Sequence, residues 1–128
     1  MNKSKLEGLR ILIVEDDISS RLYLNKILEK TGAFLLNAGD GKEAVDVALA
    51  DPGIRVILMD IQLPVMDGYA AATIIKESMP GVKIIAQTAY GMTGDIESII
   101  ESGFDDCIIK PIFAAQLIEM ISKHTFPA

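Results

Sequence analysis

The sequence predicts an α/β fold of the doubly wound kind, a five-stranded parallel sheet with helices on both faces. Two observations predict it: five short apolar runs recur along the chain, and each is followed by a longer stretch with helical spacing. A third narrows it: most of these runs are continuous rather than alternating, as strands read when both faces are covered. Strand then helix, five times over, implies right-handed crossovers in a three-layer sandwich.

The first run is Ile11-Leu12-Ile13-Val14, followed by Leu24, Ile27 and Leu28 among polar neighbours, with Gly32 as the stop. Phe34-Leu35-Leu36 is the second strand; Ala44, Val45, Ala48 and Leu49 form the helical stripe before Pro52-Gly53. Val56-Ile57-Leu58-Met59 is the third, and the Ala-rich stretch after Asp67-Gly68 reads as helix on propensity. Val82 to Ala86 is the fourth, with Ile96, Ile99 and Ile100 as a stripe closed by Gly103. Cys107-Ile108-Ile109 is the fifth, and Ala114, Leu117, Ile118 and Ile121 mark the last helix.

A chain of 128 residues suits one domain, expected over 9–125 with a lead-in at 1–8 and a tail at 126–128. Half the residues are apolar and 5% aromatic, so the core must be mainly aliphatic. The formal charge of −6 argues against direct nucleic-acid binding by this domain. Cys107 is the single cysteine, which excludes an internal disulfide and suits a reducing cytosol. No apolar run approaches the ~18–20 residues of a membrane span, and Met1–Leu6 lacks the apolar core of a signal peptide. A cytoplasmic location is the expectation.

Unusual polar residues stand at the strand ends. Glu15, Asp16 and Asp17 follow the first strand, Asp60 the third, Thr88 the fourth and Lys110 the fifth. In a parallel sheet these points share one edge, where open α/β folds bind ligands. Two carboxylates ~4 Å apart repel by ~1 kcal/mol in water and ~4 kcal/mol at an effective dielectric of 20, so a cation is needed among them. The donors are all oxygen, which fits Mg²⁺, with Mn²⁺ as the alternative, better than zinc. Asp16 and Asp60 are the expected direct ligands, with the backbone carbonyl of Gln62 as a third. A carboxylate nucleophile, a metal, the Thr88 hydroxyl and the Lys110 ammonium are the parts phosphoryl transfer needs. Asp60 is the expected nucleophile.

Four features in order then resemble the receiver (CheY-like) domain of two-component signalling over essentially the whole chain. They are Ile11–Asp17, the segment Leu58-Met59-Asp60-Ile61-Gln62-Leu63-Pro64-Val65-Met66-Asp67-Gly68, Thr88-Ala89, and Lys110-Pro111. The resemblance implies strand order 2-1-3-4-5 and Asp60 as phosphoacceptor from a phosphohistidine. It makes Asp16 a direct metal ligand and Glu15 a ligand through water. Thr88 matches a switch hydroxyl, small Ala89 leaves the site open, and the Lys110-Pro111 bond is expected cis. Positions 62 and 90 (Gln62 and Tyr90) are expected to tune the lifetime of the phosphoryl group. One position departs from the pattern: Cys107 stands where the family carries its aromatic switch residue, and Tyr90 and Phe104 are candidate substitutes. A haloacid-type phosphatase would need a second Asp where Gln62 stands.

Plainer readings compete for single residues. Glu15–Asp17 also read as an acidic loop in which Asp17 caps a helix, and Asp67-Gly68 as a helix start. Met59, Met66 and Met92 read as packing residues, His124 as a surface or helix-end cation, and Cys107 as a small buried apolar residue. A flavodoxin-like carrier would need a Ser/Thr/Gly-rich phosphate loop where Glu15-Asp16-Asp17 stand, and a partner-binding pseudo-receiver would not need the intact set. Leu6–Arg10, Tyr69-Ala70-Ala71 and Gly103–Asp106 look similar to receivers attached to hybrid sensor histidine kinases; a free-standing regulator is the alternative. The implied partners are a histidine kinase or phosphotransfer domain as donor, and a homodimer mate or output partner on the face of the fourth helix, fifth strand and fifth helix.

Overall fold

The computed structural model describes residues 6–61, 63, 65–89 and 93–125, which leaves Gln62, Pro64, Tyr90 and Met92 outside. The elements are β1 (Arg10–Val14), α1 (Ile18–Glu29), β2 (Phe34–Ala38), α2 (Gly41–Ala50), β3 (Ile54–Asp60), α3 (Gly68–Ser78), β4 (Lys83–Thr88), α4 (Thr93–Glu101), β5 (Asp106–Ile109) and α5 (Ala114–Thr125). Every strand pair is parallel and the order is β2-β1-β3-β4-β5. The chain turns back at β1, which pairs with β2 on one side and β3 on the other, so the carboxyl ends of β1 and β3 flank the crevice where such sheets bind ligands.

Alternate side chains of the central strands feed two cores. Leu12, Val14, Ile57, Met59, Ile84 and Ala86 meet α2, α3 and α4 through Ala44, Ala48, Ala71, Ala72, Ile75 and Ile99. Ile11, Ile13, Val56, Leu58, Ile85 and Ile108 meet α1 and α5 through Leu24, Leu28, Leu117 and Ile121. Both faces being covered is why these runs are continuously apolar. The helical stripes are narrower than expected. Leu49 is exposed because α2 packs through the small Ala44 and Ala48, and Ile100 is exposed beside buried Ile99. The strand β4 runs two residues past its apolar run, because Gln87 pairs with both β3 and β5 and Thr88 pairs with β5.

Aspartates start three helices. Asp17 accepts the Ser20 N–H at 2.8 Å, Asp40 the Glu43 N–H at 2.8 Å, and Asp67 the Ala70 N–H at 2.9 Å, each cap stabilising by ~1 kcal/mol. The Gly39 N–H, one residue before the cap, donates in turn to Glu43 Oε1 at 2.7 Å. Gly68 is required for a second reason: a Cβ there would lie 2.7 Å from the Asp60 carbonyl oxygen and 2.8 Å from Ile61 Cα. The start of α3 therefore packs directly beneath the end of β3. On the far side, Asp105 Oδ2 accepts the Ile84 N–H and takes Lys76 Nζ, both at 2.8 Å, clamping α3 and β4 to the loop before β5.

Candidate functional site

The ends of β1, β3 and β4 and the loop after β5 converge on one cleft of about 310 Å³, lined by Glu15, Asp16, Asp17, Ser20, Asp60, Ile61, Thr88, Ala89 and Lys110. Glu15, Asp60 and Thr88 are buried, whereas Asp16 is exposed. Carboxylate oxygens of Glu15, Asp16 and Asp60 all lie within 4.8 Å of one another. Lys110 Nζ stands 3.2 Å from Asp60 Oδ2 and 3.8 Å from Glu15 Oε1. One ammonium thus faces two carboxylates of the three.

Glu15 is the most constrained of them. Its Oε2 accepts the Asp17 N–H at 3.2 Å, while buried Oε1 has no hydrogen-bond partner among the described residues. Burial pushes the Glu15 carboxyl above its usual range; the Asp17 N–H and Lys110 pull it back, and the charges of Asp60 and Asp16 push it up again. The Glu15 carbonyl accepts Arg21 Nε at 3.3 Å and Nη2 at 3.0 Å, which ties the first turn of α1 to the acidic loop. This anchor was not anticipated from the sequence. Asp17, turned to its cap, has its carboxyl held below the usual range by the Ser20 backbone and side chain. It lines the cleft but is engaged by α1.

An orphaned buried carboxylate oxygen within a triangle of acids fits a hard divalent cation, and the all-oxygen donor set excludes a softer preference. Without such an ion, three carboxylates share the single Lys110 ammonium, and the cluster carries only partly compensated repulsion. Gln62 and Tyr90 lie outside the described residues, so the carbonyl ligand and both tuning positions named above have no structural account. Ala89 lines the cleft as a small exposed residue, and the Lys110-Pro111 peptide is cis. Cys107 is buried on the α4 side of the sheet; burial and then the neighbouring Asp106 charge push its thiol up. Phe104 is buried too, its ring meeting Tyr69 edge-on at 5.6 Å between centroids.

The statistical model of the response regulator receiver domain matches residues 11–122, nearly the whole fold just described. The chain belongs to the response-regulator receiver family. It is 36% identical over 129 residues to hybrid signal transduction histidine kinase I of Dictyostelium discoideum, covering 94% of this chain and 7% of that protein. Among solved structures it resembles the receiver domain of sensor histidine kinase PA1611 from Pseudomonas aeruginosa, with magnesium coordinated in its active-site cleft. That likeness has 36% identity and a TM-score of 0.81, covering 91% of this chain and 95% of the other. It also resembles the co-crystal structure of the Saccharomyces cerevisiae phosphotransfer protein Ypd1 with the receiver of Ssk1, at 29% identity and a TM-score of 0.83, covering 91% and 88%. This receiver spans between 7% and 17% of the length of the first curated relatives.

The family accounts for the convergence of the acids, Thr88 and Lys110. It does not account for Gln87, a buried amide one residue before Thr88 that sequence analysis passed over. Glutamine at the end of an apolar strand run looks like the start of a solvated loop, and only the pairing of β4 with both neighbours puts it inside.

Proposed function

We propose that this receiver accepts a phosphoryl group on Asp60 from a phosphohistidine and acts as the phosphoacceptor of a two-component phosphorelay. The observation that carries the reading is the placing of buried Asp60 against Lys110 at 3.2 Å inside the triangle of acids. An Asp60 carboxylate oxygen forms the new P–O bond as the donor P–N bond breaks, and the electron pair leaves with the imidazole nitrogen. Lys110 pairs with the charge on Asp60 before transfer and with the phosphoryl oxygens after it. The Thr88 hydroxyl, at the end of the adjoining strand, supplies a donor to the same group. Asp16 and Asp60 would hold Mg²⁺ directly and Glu15 through water, with the Gln62 backbone carbonyl, assigned from the sequence alone, as the further ligand. Bound there, the ion supplies neutralisation of the acidic cluster and of charge on the transferring group. Its presence in the PA1611 receiver supports this choice.

The phosphodonor is a histidine kinase or a helical phosphotransfer domain, as the Ypd1 complex of a related receiver supports. Ile18 and Leu22, exposed on α1, and Phe113, exposed after β5, give a phosphodonor an apolar landing beside the cleft. A second face, formed by α4, β5 and α5, is assigned to a homodimer mate or output partner. The likeness to a hybrid histidine kinase supports a receiver module of a hybrid sensor kinase over a free-standing regulator. No helix among the described residues is long and apolar enough to cross a membrane, and a cytoplasmic receiver is the reading adopted.

Beryllofluoride with Mg²⁺, followed by amide NMR, tests the site. Saturable shifts at Thr88 and Lys110 that vanish in Asp60→Asn are expected. Equal shifts in that variant would remove Asp60 from its role.

A further inference from the structure

A second cavity of about 290 Å³ opens between α1 and the segment after β5, and it shares only Lys110 and Ser20 with the acidic cleft. Its walls are Tyr23 and Leu24 of α1, Ile112 and Phe113 after β5, and Lys110. Tyr23 donates its hydroxyl to the Ile112 carbonyl at 2.6 Å, which holds the two walls together. Gln87 also lines the cavity, wholly buried, with both Oε1 and Nε2 lacking a hydrogen-bond partner among the described residues.

That amide is the anomaly. Ile85 faces α1 and α5, so strand alternation turns Gln87 the same way, into the cavity. A buried donor or acceptor without a partner is destabilising, and this side chain leaves both kinds. Apolar residues of the same shape would remove the cost, since the neighbouring strand positions are aliphatic. An amide that is fully enclosed, unbonded and facing an apolar cavity has the form of a recognition group awaiting its complement.

We infer that this cavity binds a small, neutral, mainly apolar ring molecule bearing a carboxamide or lactam edge, which pairs donor to acceptor and acceptor to donor with Gln87. The size fits one ring and its head group. Charge selects against a carboxylate: Lys110 is already taken by Asp60 and Glu15, and an added anion would meet both. A ligand here touches the same lysine that faces the phosphoacceptor, yet its binding does not depend on phosphoryl transfer to Asp60.

Benzamide and benzoate are the probes, titrated separately into the full chain with amide and side-chain NMR as the readout. Benzamide is expected to shift the Gln87 side-chain amide and the Tyr23, Lys110 and Ile112 backbone amides saturably, at roughly millimolar affinity for so few atoms. Benzoate is expected to bind at least ~10-fold more weakly, a difference of ~1.4 kcal/mol. Gln87→Met keeps the shape without the amide and should lose benzamide binding; Phe113→Ala, at an exposed wall, should weaken it without risk to the fold. Unchanged benzamide affinity in Gln87→Met overturns the inference. So does an absence of saturable shifts up to ~20 mM, or ordered water bonded to Gln87 that benzamide fails to displace.

Discussion

Lys110 Nζ lies 3.2 Å from Asp60 Oδ2, and the same ammonium stands 3.8 Å from Glu15 Oε1. The lysine therefore holds together acids that would otherwise repel across the cleft. Lys110→Met should slow phosphoryl acceptance by roughly 10²-fold, the usual loss for a donor aimed at developing charge. Because the lysine side chain is 33% exposed, the stability cost should stay near ~1 kcal/mol. Lys110→Arg should not restore the rate, since a planar fork does not replace a compact point charge. Labelling kinetics and urea denaturation check these outcomes.

Glu15 is buried beside two other carboxylates, and its raised carboxyl reports the cost of ionising it there. In metal-free protein at neutral pH, Glu15→Gln should raise stability by about 1 kcal/mol, because the amide removes one charge from the cluster. In Mg²⁺ the order should reverse, with affinity for the ion falling by roughly 10-fold. Thermal melts in chelator and in Mg²⁺ read both effects.

Val65 adopts a φ of 67° while 82% exposed, so a β-branched side chain occupies the left-handed region with no packing to compensate. Val65→Gly should stabilise the fold by ~0.5–1 kcal/mol, the relief exceeding the chain entropy that glycine adds. Denaturant midpoints test this, and a lower midpoint would contradict it.

Asp106 joins β5 to α5: its Oδ2 lies 2.8 Å from His124 Nε2 and 3.3 Å from Lys123 Nζ. Burial pushes its carboxyl up, but His124, the Cys107 N–H and Lys123 together bring it below the usual range. A lowered carboxyl stabilises above its unfolded pKa of ~4, and that stability is lost as pH falls through the lower folded value. Asp106→Asn should therefore be less stable than the parent at pH 6, with the gap closing as pH falls below the unfolded carboxyl range and through the lowered folded value. Denaturation across pH follows the closing gap.

Much of this was readable from the chain. Ile11–Val14 and Val56–Met59 announce buried parallel strands, and Asp17 and Asp67 announce helix starts. The edge strand β2 was harder, because only Ala38 is buried and Arg10 covers exposed Phe34 at 4.1 Å from its ring centroid. The assembly of Glu15, Asp16, Asp60, Thr88 and Lys110 followed from strand ends sharing one edge. Pairings that depend on how a helix docks, such as His124 with Asp106 and Arg21 with the Glu15 carbonyl, leave no mark in local sequence. Gln87 was hidden for a similar reason: its burial follows from pairing with Asp60 and Ile108 on the flanking strands, far away along the chain.

Phosphoryl acceptance by Asp60 underlies the function proposed for this receiver. Intact-mass spectrometry after incubation with a small-molecule phosphodonor and Mg²⁺ tests it most directly. One added phosphoryl group is expected, absent when chelator is present from the start, absent in Asp60→Asn and mapped to Asp60 by hydroxylamine treatment. Full, Mg²⁺-independent modification of Asp60→Asn would contradict it.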